Sequence, residues 1–303
     1  MKRDFLGIGG LSPSDLGALL DRATQMKAAR ASSDALRGRS IAMIFEKPST
    51  RTRISFEVAI AELGGTPVVL NASELQLGRG ETIEDTARVL SRYVHAVVVR
   101  TFEQERLDQL AAAGSIPVVN ALSDHEHPCQ ALADLLTVRE RFGTLQGRTL
   151  AYIGDGNNVA HSLMLAGALA GMRIAVATPE GYEPVDAVIE QARGLASEHG
   201  GEIVVTNDPA EAAAGAHALY TDVWASMGQE DEADTRRAIF APYQLNWVLV
   251  GRAASDSIVM HCLPAHRGEE ITEDVIDGPQ SVVWDQAENR LHTQKAVLEW
   301  LLP

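Results

Sequence analysis

Short β-branched runs alternate along the chain with stretches whose apolar residues recur at helical spacing. The runs fall at residues 41–45, 67–70, 96–100 and 117–120. After a longer helical stretch come 149–154, 173–177, 203–206, 218–221, 258–261 and 281–284. Runs of this kind between amphipathic helices predict parallel sheets covered on both faces. The alternation breaks at residues 128–142, where Leu132, Leu135, Leu136 and Arg139 predict a single helix ending at Gly143. A boundary near residue 140 therefore separates domains 1–140 and 141–303. The expected fold is α/β, with two doubly wound parallel-sheet domains of similar size joined by helices. The last amphipathic helix, at about 287–302, is a candidate to pack back on the first domain.

Charge narrows the range of partners. The chain has 41 acidic residues against 26 Lys and Arg, a formal net charge of -15 over 303 residues. That opposes nucleic acid, whose binding depends on neutralised phosphates, and anionic membrane surfaces. A small anion remains open where basic residues converge locally. The longest nearly apolar run, 159–172, contains His161 and Ser162 and falls short of the roughly 20 residues a membrane span needs. Lys2 and Arg3 are followed by Asp4 and Gly-rich sequence, so no signal-peptide core is expected. Two cysteines, Cys129 and Cys262, make no disulfide framework and suit a reducing cytoplasm, the expected location.

Ligands of open parallel sheets bind at the carboxyl ends of the strands, so the loops there should carry the chemistry. Glu46-Lys47-Pro48-Ser49-Thr50-Arg51-Thr52-Arg53 follows one run and opens a helix marked by Phe56, Ala59, Ile60 and Leu63. Ser49 lies near the N-cap, with Thr50, Arg51 and Thr52 in the first turn. Cations are disfavoured there unless an anion neutralises them, which makes this a phosphate site without a P-loop. The plainer alternative is a hydroxyl cap with solvated arginines. Arg100 ends a second run at the same expected sheet edge. His127-Pro128-Cys129-Gln130 opens the connecting helix with proline at its first position. His127 can donate to a carbonyl oxygen, and Gln130 can accept from an amide-like NH₂. A metal set of His125, His127 and Cys129 matches no standard zinc spacing.

In the second half, Gly154-Asp155-Gly156-Asn157-Asn158-Val159 follows a strand as a dinucleotide fingerprint would. Val159 stands where its third glycine belongs, and Glu180 is the candidate ribose ligand. Asp222 offers a carboxylate to a cation, with Ser226 close behind it. His261-Cys262-Leu263-Pro264 ends another run, and Arg290 lies near the start of the last helix.

Together these segments resemble the aspartate/ornithine carbamoyltransferase superfamily, nearly end to end and with no departure at a motif position. Ser49-Thr50-Arg51-Thr52-Arg53 and His127-Pro128-Cys129-Gln130 resemble the signatures common to the class. The Asp222…Ser226-Met227-Gly228 loop and His261-Cys262-Leu263-Pro264 are similar to the ornithine-selective pair. The resemblance implies that Ser49, Thr50, Arg51, Thr52 and Arg100 bind the phosphate of carbamoyl phosphate. It implies that His127, Pro128, Cys129, Gln130 and Arg290 face the carbamoyl group, and that Gln76 reaches a neighbouring subunit's site. Asn158, Asp222, Ser226 and Met227 would hold the amino-acid end of L-ornithine, and Cys262 and Leu263 its side-chain amine. Arg100, His127, Cys262 and Thr52 would carry catalysis. A homotrimer or a multiple of trimers is implied, with no cofactor and no metal. Rival readings are another acceptor amine (putrescine, an acylated ornithine, aspartate), an NAD-dependent oxidoreductase, or a non-catalytic binding protein on the same fold.

Overall fold

The structure is a computed structural model describing residues 2–30, 32–71, 80–225 and 230–303. The chain forms two units: Met1–Leu132 with Asn289–Pro303, and Ala133–Glu288.

The first unit runs α1 (Pro13–Ala29), β1 (Ser40–Phe45), α2 (Thr50–Glu62), β2 (Thr66–Asn71), α3 (Ile83–Tyr93), β3 (Ala96–Arg100), α4 (Gln104–Ala113) and β4 (Val118–Leu122). It then enters α5 (Pro128–Phe142), which continues into the second unit. The four strands pair in parallel in the order β2-β1-β3-β4. Ala42, Ile44, Val97, Val99 and Val118 pack with Leu107 and Leu110 of α4, so apolar residues on successive strands make one core. Helix starts follow local chemistry. Ser12 and Asp15 form a capping box before α1 with Pro13 at its first position, and Thr82 caps α3.

The second unit runs β5 (Thr149–Ile153), α6 (Asn158–Leu169), β6 (Arg173–Ala177), α7 (Asp186–His199), β7 (Glu202–Thr206), α8 (Pro209–Ala213) and β8 (Ala218–Thr221). It continues with α9 (Ala233–Phe240), α10 (Trp247–Val250), β9 (Ile258–His261) and α11 (Glu273–Ile276), then enters α12 (Val283–Leu301), which from Asn289 onward belongs to the first unit. Its strands are also parallel, in the order β7-β6-β5-β8-β9. The apolar run of α6 is buried along nearly its whole length. Among the described residues no helix is long and apolar enough to cross a membrane.

Both sheets have the doubly wound, parallel form the hydrophobic pattern predicts, with one exception. Residues 281–284 are not a strand: Ser281 makes an isolated bridge to Val259, and the chain turns into α12 at Val283. Val283 is buried, whereas Trp284 is 64% exposed. A short apolar run does not distinguish a strand from the first turn of a helix. For the same reason the last helix starts at Val283 and not near residue 287.

The strand orders matter for function. In the first sheet the chain moves from β1 to one edge, then returns to β3 on the other side of β1. In the second, β5 and β8 meet in the same way. Each pair flanks a topological switch point, where parallel sheets bind ligands at their carboxyl ends.

Candidate functional site

In the first unit Phe45 and Arg100 are register partners at the carboxyl ends of β1 and β3. That pairing brings Arg100 to the start of α2. Ser49 caps α2, its Oγ accepting the backbone N–H of Thr52 at 3.3 Å. Thr52 is buried, and two guanidinium groups converge on its hydroxyl. Arg290 Nη2 lies 2.8 Å and Arg100 Nη1 3.5 Å from Thr52 Oγ1. Arg290 Nη1 donates to Gln130 Oε1 at 2.7 Å, which ties α12 to the first turn of α5. His127 is buried beside them, and burial first, then Arg290, Arg100 and Arg51, hold its pKa well below the usual imidazole value. His127 is therefore neutral near pH 7 and able to donate one N–H. The cluster combines a helix N-terminus, hydroxyls and fixed cations, the features that bind a phosphorylated anion and an oxyanion developing next to it.

Not every basic residue of the motif joins this cluster. Arg53 is exposed and pairs with Glu57 at 2.7 Å, one turn along α2, so it needs no bound anion. Thr50 and Arg51 are exposed at the helix start. Pro128 opens α5. Cys129 turns inward: its Sγ donates to the Asn120 carbonyl at 3.4 Å, and burial pushes the thiol up to about 12. Lys47 was not expected to matter. It is buried, pairs with Asp124 and lies 4.3 Å from the centre of the Phe102 ring.

In the second unit the site builds on the ends of β5 and β8, whose Tyr152 and Tyr220 are register partners. Asp222, just past β8, is buried and oriented by three donors. Its Oδ1 accepts from Cys262 Sγ and from Val223 N–H, both at 2.8 Å, and its Oδ2 from Asn157 Nδ2 at 2.9 Å. Asn157, not Asn158, is the N-cap of α6, accepting from Val159 and Ala160 N–H while the Tyr152 hydroxyl donates to it at 3.2 Å. Asn158 is the half-buried first residue of the helix. An asparagine before an apolar helical run was the signal that could have identified Asn157. Burial first, then nearby acids including Asp222, pushes the Tyr152 and Tyr220 hydroxyls well above the phenol range, so both stay protonated donors.

A second buried pair braces these loops. Arg236 on α9 lies 3.2 Å from Asp155, donates to the Trp224 carbonyl at 3.0 Å and sits against the Tyr182 ring. Burial outweighs that ion pair and pushes Asp155 up to about 6. The same loop disfavours a dinucleotide. Gly156 N–H donates to the Tyr182 carbonyl at 2.9 Å, and a Cβ on Gly156 would meet Pro184 N at 2.3 Å. The close approach a pyrophosphate needs is thus filled by the chain's own backbone.

Gln76, Ser226 and Met227 lie outside the described residues. Among the described residues, Asp222, His261 and Cys262 place potential ligand atoms within 4.8 Å of one another. Both ring nitrogens of His261 are already engaged, with Glu270 and with Leu263 N–H.

Two family models match successive stretches of the chain. The family described as "Aspartate/ornithine carbamoyltransferase, carbamoyl-P binding domain" matches residues 3–140, and "Aspartate/ornithine carbamoyltransferase, Asp/Orn binding domain" matches residues 146–301. An ornithine carbamoyltransferase of Parafrankia sp. is 62% identical over 304 residues, covering 99% of this chain and 96% of the relative. An anabolic ornithine carbamoyltransferase of Pyrococcus furiosus is 60% identical over 263 residues, covering 87% and 84%. A solved ornithine carbamoyltransferase structure from the same organism superposes with a TM-score of 0.95 at 55% identity, covering 98% of this chain and 96% of that one.

Proposed function

This chain belongs to the aspartate/ornithine carbamoyltransferase family, and we propose that it transfers the carbamoyl group of carbamoyl phosphate to the δ-amine of L-ornithine, giving L-citrulline and phosphate in arginine metabolism. The observation that carries this reading is the convergence of Arg100 and Arg290 on Thr52, in the first turn of a Ser49-capped helix.

Ser49, Thr50, Arg51 and Thr52 hold the phosphate with Arg100. His127, Gln130 and Arg290 orient the carbamoyl group, with Pro128 and Cys129 shaping the turn beneath it. The ornithine δ-ammonium, with an ordinary pKa of about 10.4, loses a proton before attack. Its lone pair then forms a bond to the carbamoyl carbon. The C=O electrons move to oxygen, where Arg100, His127 and Thr52 stabilise the charge. Collapse of this intermediate breaks the carbon–oxygen bond to phosphate, which takes up the proton the attacking nitrogen releases and leaves held by the helix N-terminus and Arg51. Asp222, Asn158, Ser226 and Met227 hold the amino-acid end of ornithine, and Cys262 and Leu263 border its amine. A carboxylate at Asp222 favours a cationic acceptor over aspartate.

The test is citrulline formation from ornithine, with putrescine, acetylornithine and aspartate as competing acceptors. Turnover is expected with ornithine alone. Arg51→Ala with an unchanged rate would remove Arg51 from the phosphate site.

A homotrimer, or a multiple of it, fits the first unit's surface. Val68 on edge strand β2, Ile54 and Val58 on α2, and Val89 and Tyr93 on α3 are exposed, Tyr93 by 75%. An edge strand among exposed apolar side chains calls for cover, and in a trimer Gln76 would reach the neighbouring subunit's site. Light scattering reads the mass directly, and a monomer would refute the trimer. The proposed location is the cytoplasm, in keeping with just two cysteines, one in each unit.

A further inference from the structure

Glu270 is completely buried, and the chemistry above makes no use of it. Its backbone is anchored, since Leu245 N–H donates to its carbonyl at 2.8 Å. Its Oε1 accepts the N–H of His266 at 2.6 Å and lies 3.1 Å from His261 Nε2. The other ring nitrogen, His261 Nδ1, accepts the backbone N–H of Leu263 at 2.9 Å. Nδ1 therefore carries a lone pair, and the ring proton sits on Nε2, pointed at Glu270. The backbone of His261 is held too: its N–H donates to Gln286 Oε1 at 2.9 Å, and Gln286 Nε2 donates to Asp134 at 2.7 Å. The bond to Leu263 matters because Leu263 has φ of 59°, a left-handed conformation that a β-carbon disfavours. Between His261 and Leu263 stands Cys262, whose Sγ reaches Asp222 Oδ1.

We propose that Glu270 is a positioning residue for the ornithine end of the reaction: it fixes the His261 ring, the ring holds the Leu263 amide in its strained turn, and the turn presents Cys262 to Asp222. The inference rests on the transferase reading. Asp222 keeps its bonds from Val223 and Asn157 when the turn relaxes, so the change falls on Cys262 and Leu263. What Glu270 supplies is a hydrogen-bond acceptor at a fixed point, so an amide oxygen there serves as well as a carboxylate.

The experiment is steady-state kinetics on Glu270→Ala, Glu270→Gln, His261→Gln, His261→Asn and the double variant Glu270→Ala/His261→Gln. Binding of phosphonoacetamide is measured alongside by calorimetry. Misplacing a side chain by about 1 Å can cost about 10²-fold. E270A and H261Q should accordingly each lose roughly 10- to 100-fold in kcat/KM for ornithine, with phosphonoacetamide affinity unchanged. E270Q should stay within about threefold of the parent. H261N, whose amide oxygen replaces Nδ1 as acceptor for Leu263, should lose less than H261Q. The double variant should lose no more than the worse single one, because the two residues act in series. Unchanged ornithine kinetics in E270A, equal losses in E270Q and E270A, or losses that multiply in the double variant would overturn the proposal. If E270A does not fold, equal losses in H261N and H261Q overturn it instead. A parent protein that makes no citrulline would refute the transferase reading itself.

Discussion

Around Thr52 the charged side chains that converge are cations, whereas around Asp222 they are acids and phenols, with Arg236 set against Asp155 behind them. Burial first, then Arg290, Arg100 and Arg51, depress His127 in the first unit. In the second, burial and neighbouring acids raise Asp155, Tyr152 and Tyr220. Both clusters occupy equivalent places, the carboxyl ends of the two strands flanking a switch point. The backbone architecture thus decides where ligands bind, and a handful of loop side chains decide which sign of charge is welcome. A net charge of -15 describes neither place.

The sharpest way to break the contrast is to remove a cation from the first cluster. Arg290→Ala deletes the bonds to Thr52 and Gln130. It should lower kcat about 10²- to 10³-fold, the usual effect of losing one oxyanion donor, as read by citrulline formation with circular dichroism unchanged. Removing the acid from the second cluster should do less. Asp222→Asn is expected to lower kcat/KM for ornithine about 10- to 100-fold, the worth of one charge-assisted contact. Phosphonoacetamide affinity should stay at the parent value; a parallel loss there would merge the two clusters' roles.

Acid should act on the two clusters with opposite sign. His127 is held below its unfolded value near 6.5, so below that pH the unfolded chain takes up a proton the folded one refuses, and stability falls on acidification. Asp155 behaves in reverse. Raised from 3.8 to about 6, it keeps its proton when folded while the unfolded carboxyl releases it, so stability falls as pH rises through that window. The Asp155 contribution is at most roughly 3 kcal/mol at 1.36 kcal/mol per pKa unit. Urea midpoints at pH 5 and 6.5 read both. Asp155→Asn should make the protein more acid-sensitive and His127→Gln less so, and equal slopes in the two variants would refute the assignment.

The smallest effect expected is that of salt. If the phosphate is caught by short contacts and not by the long-range field, its affinity should change less than about threefold between roughly 0.05 and 0.5 M salt. A steep fall would mean that the field of the whole chain matters at that end.

Much of the site could be read before folding because motif residues are local. Ser49 had to cap a helix, and Pro128 had to open one. Which basic residues converge was not legible in local pattern, and only the family resemblance pointed to Arg100 and Arg290. Arg53 belongs to the motif yet pairs with Glu57, while Arg290, far along the chain, lands on Thr52. Asn157 and Asn158 are neighbours, but only a folded loop shows that Asn157 is the one bonded to Asp222. Glu270 and Arg236 carried no motif at all, because a residue that orients another leaves no pattern in its own neighbourhood.

The alternation of β-branched runs with amphipathic helices determined the fold class, since backbone hydrogen bonds and apolar burial admit few other arrangements of such a pattern. Strand order is different. Nothing local to β1 or β5 specifies its neighbours; pairing is decided by how whole elements pack, as the isolated bridge at Ser281 also shows. That packing alone set Arg100 beside the start of α2 and Cys262 against Asp222. It turned separate charged and polar residues into two clusters of opposite character, because burial strengthens the electrostatic coupling that water would otherwise screen.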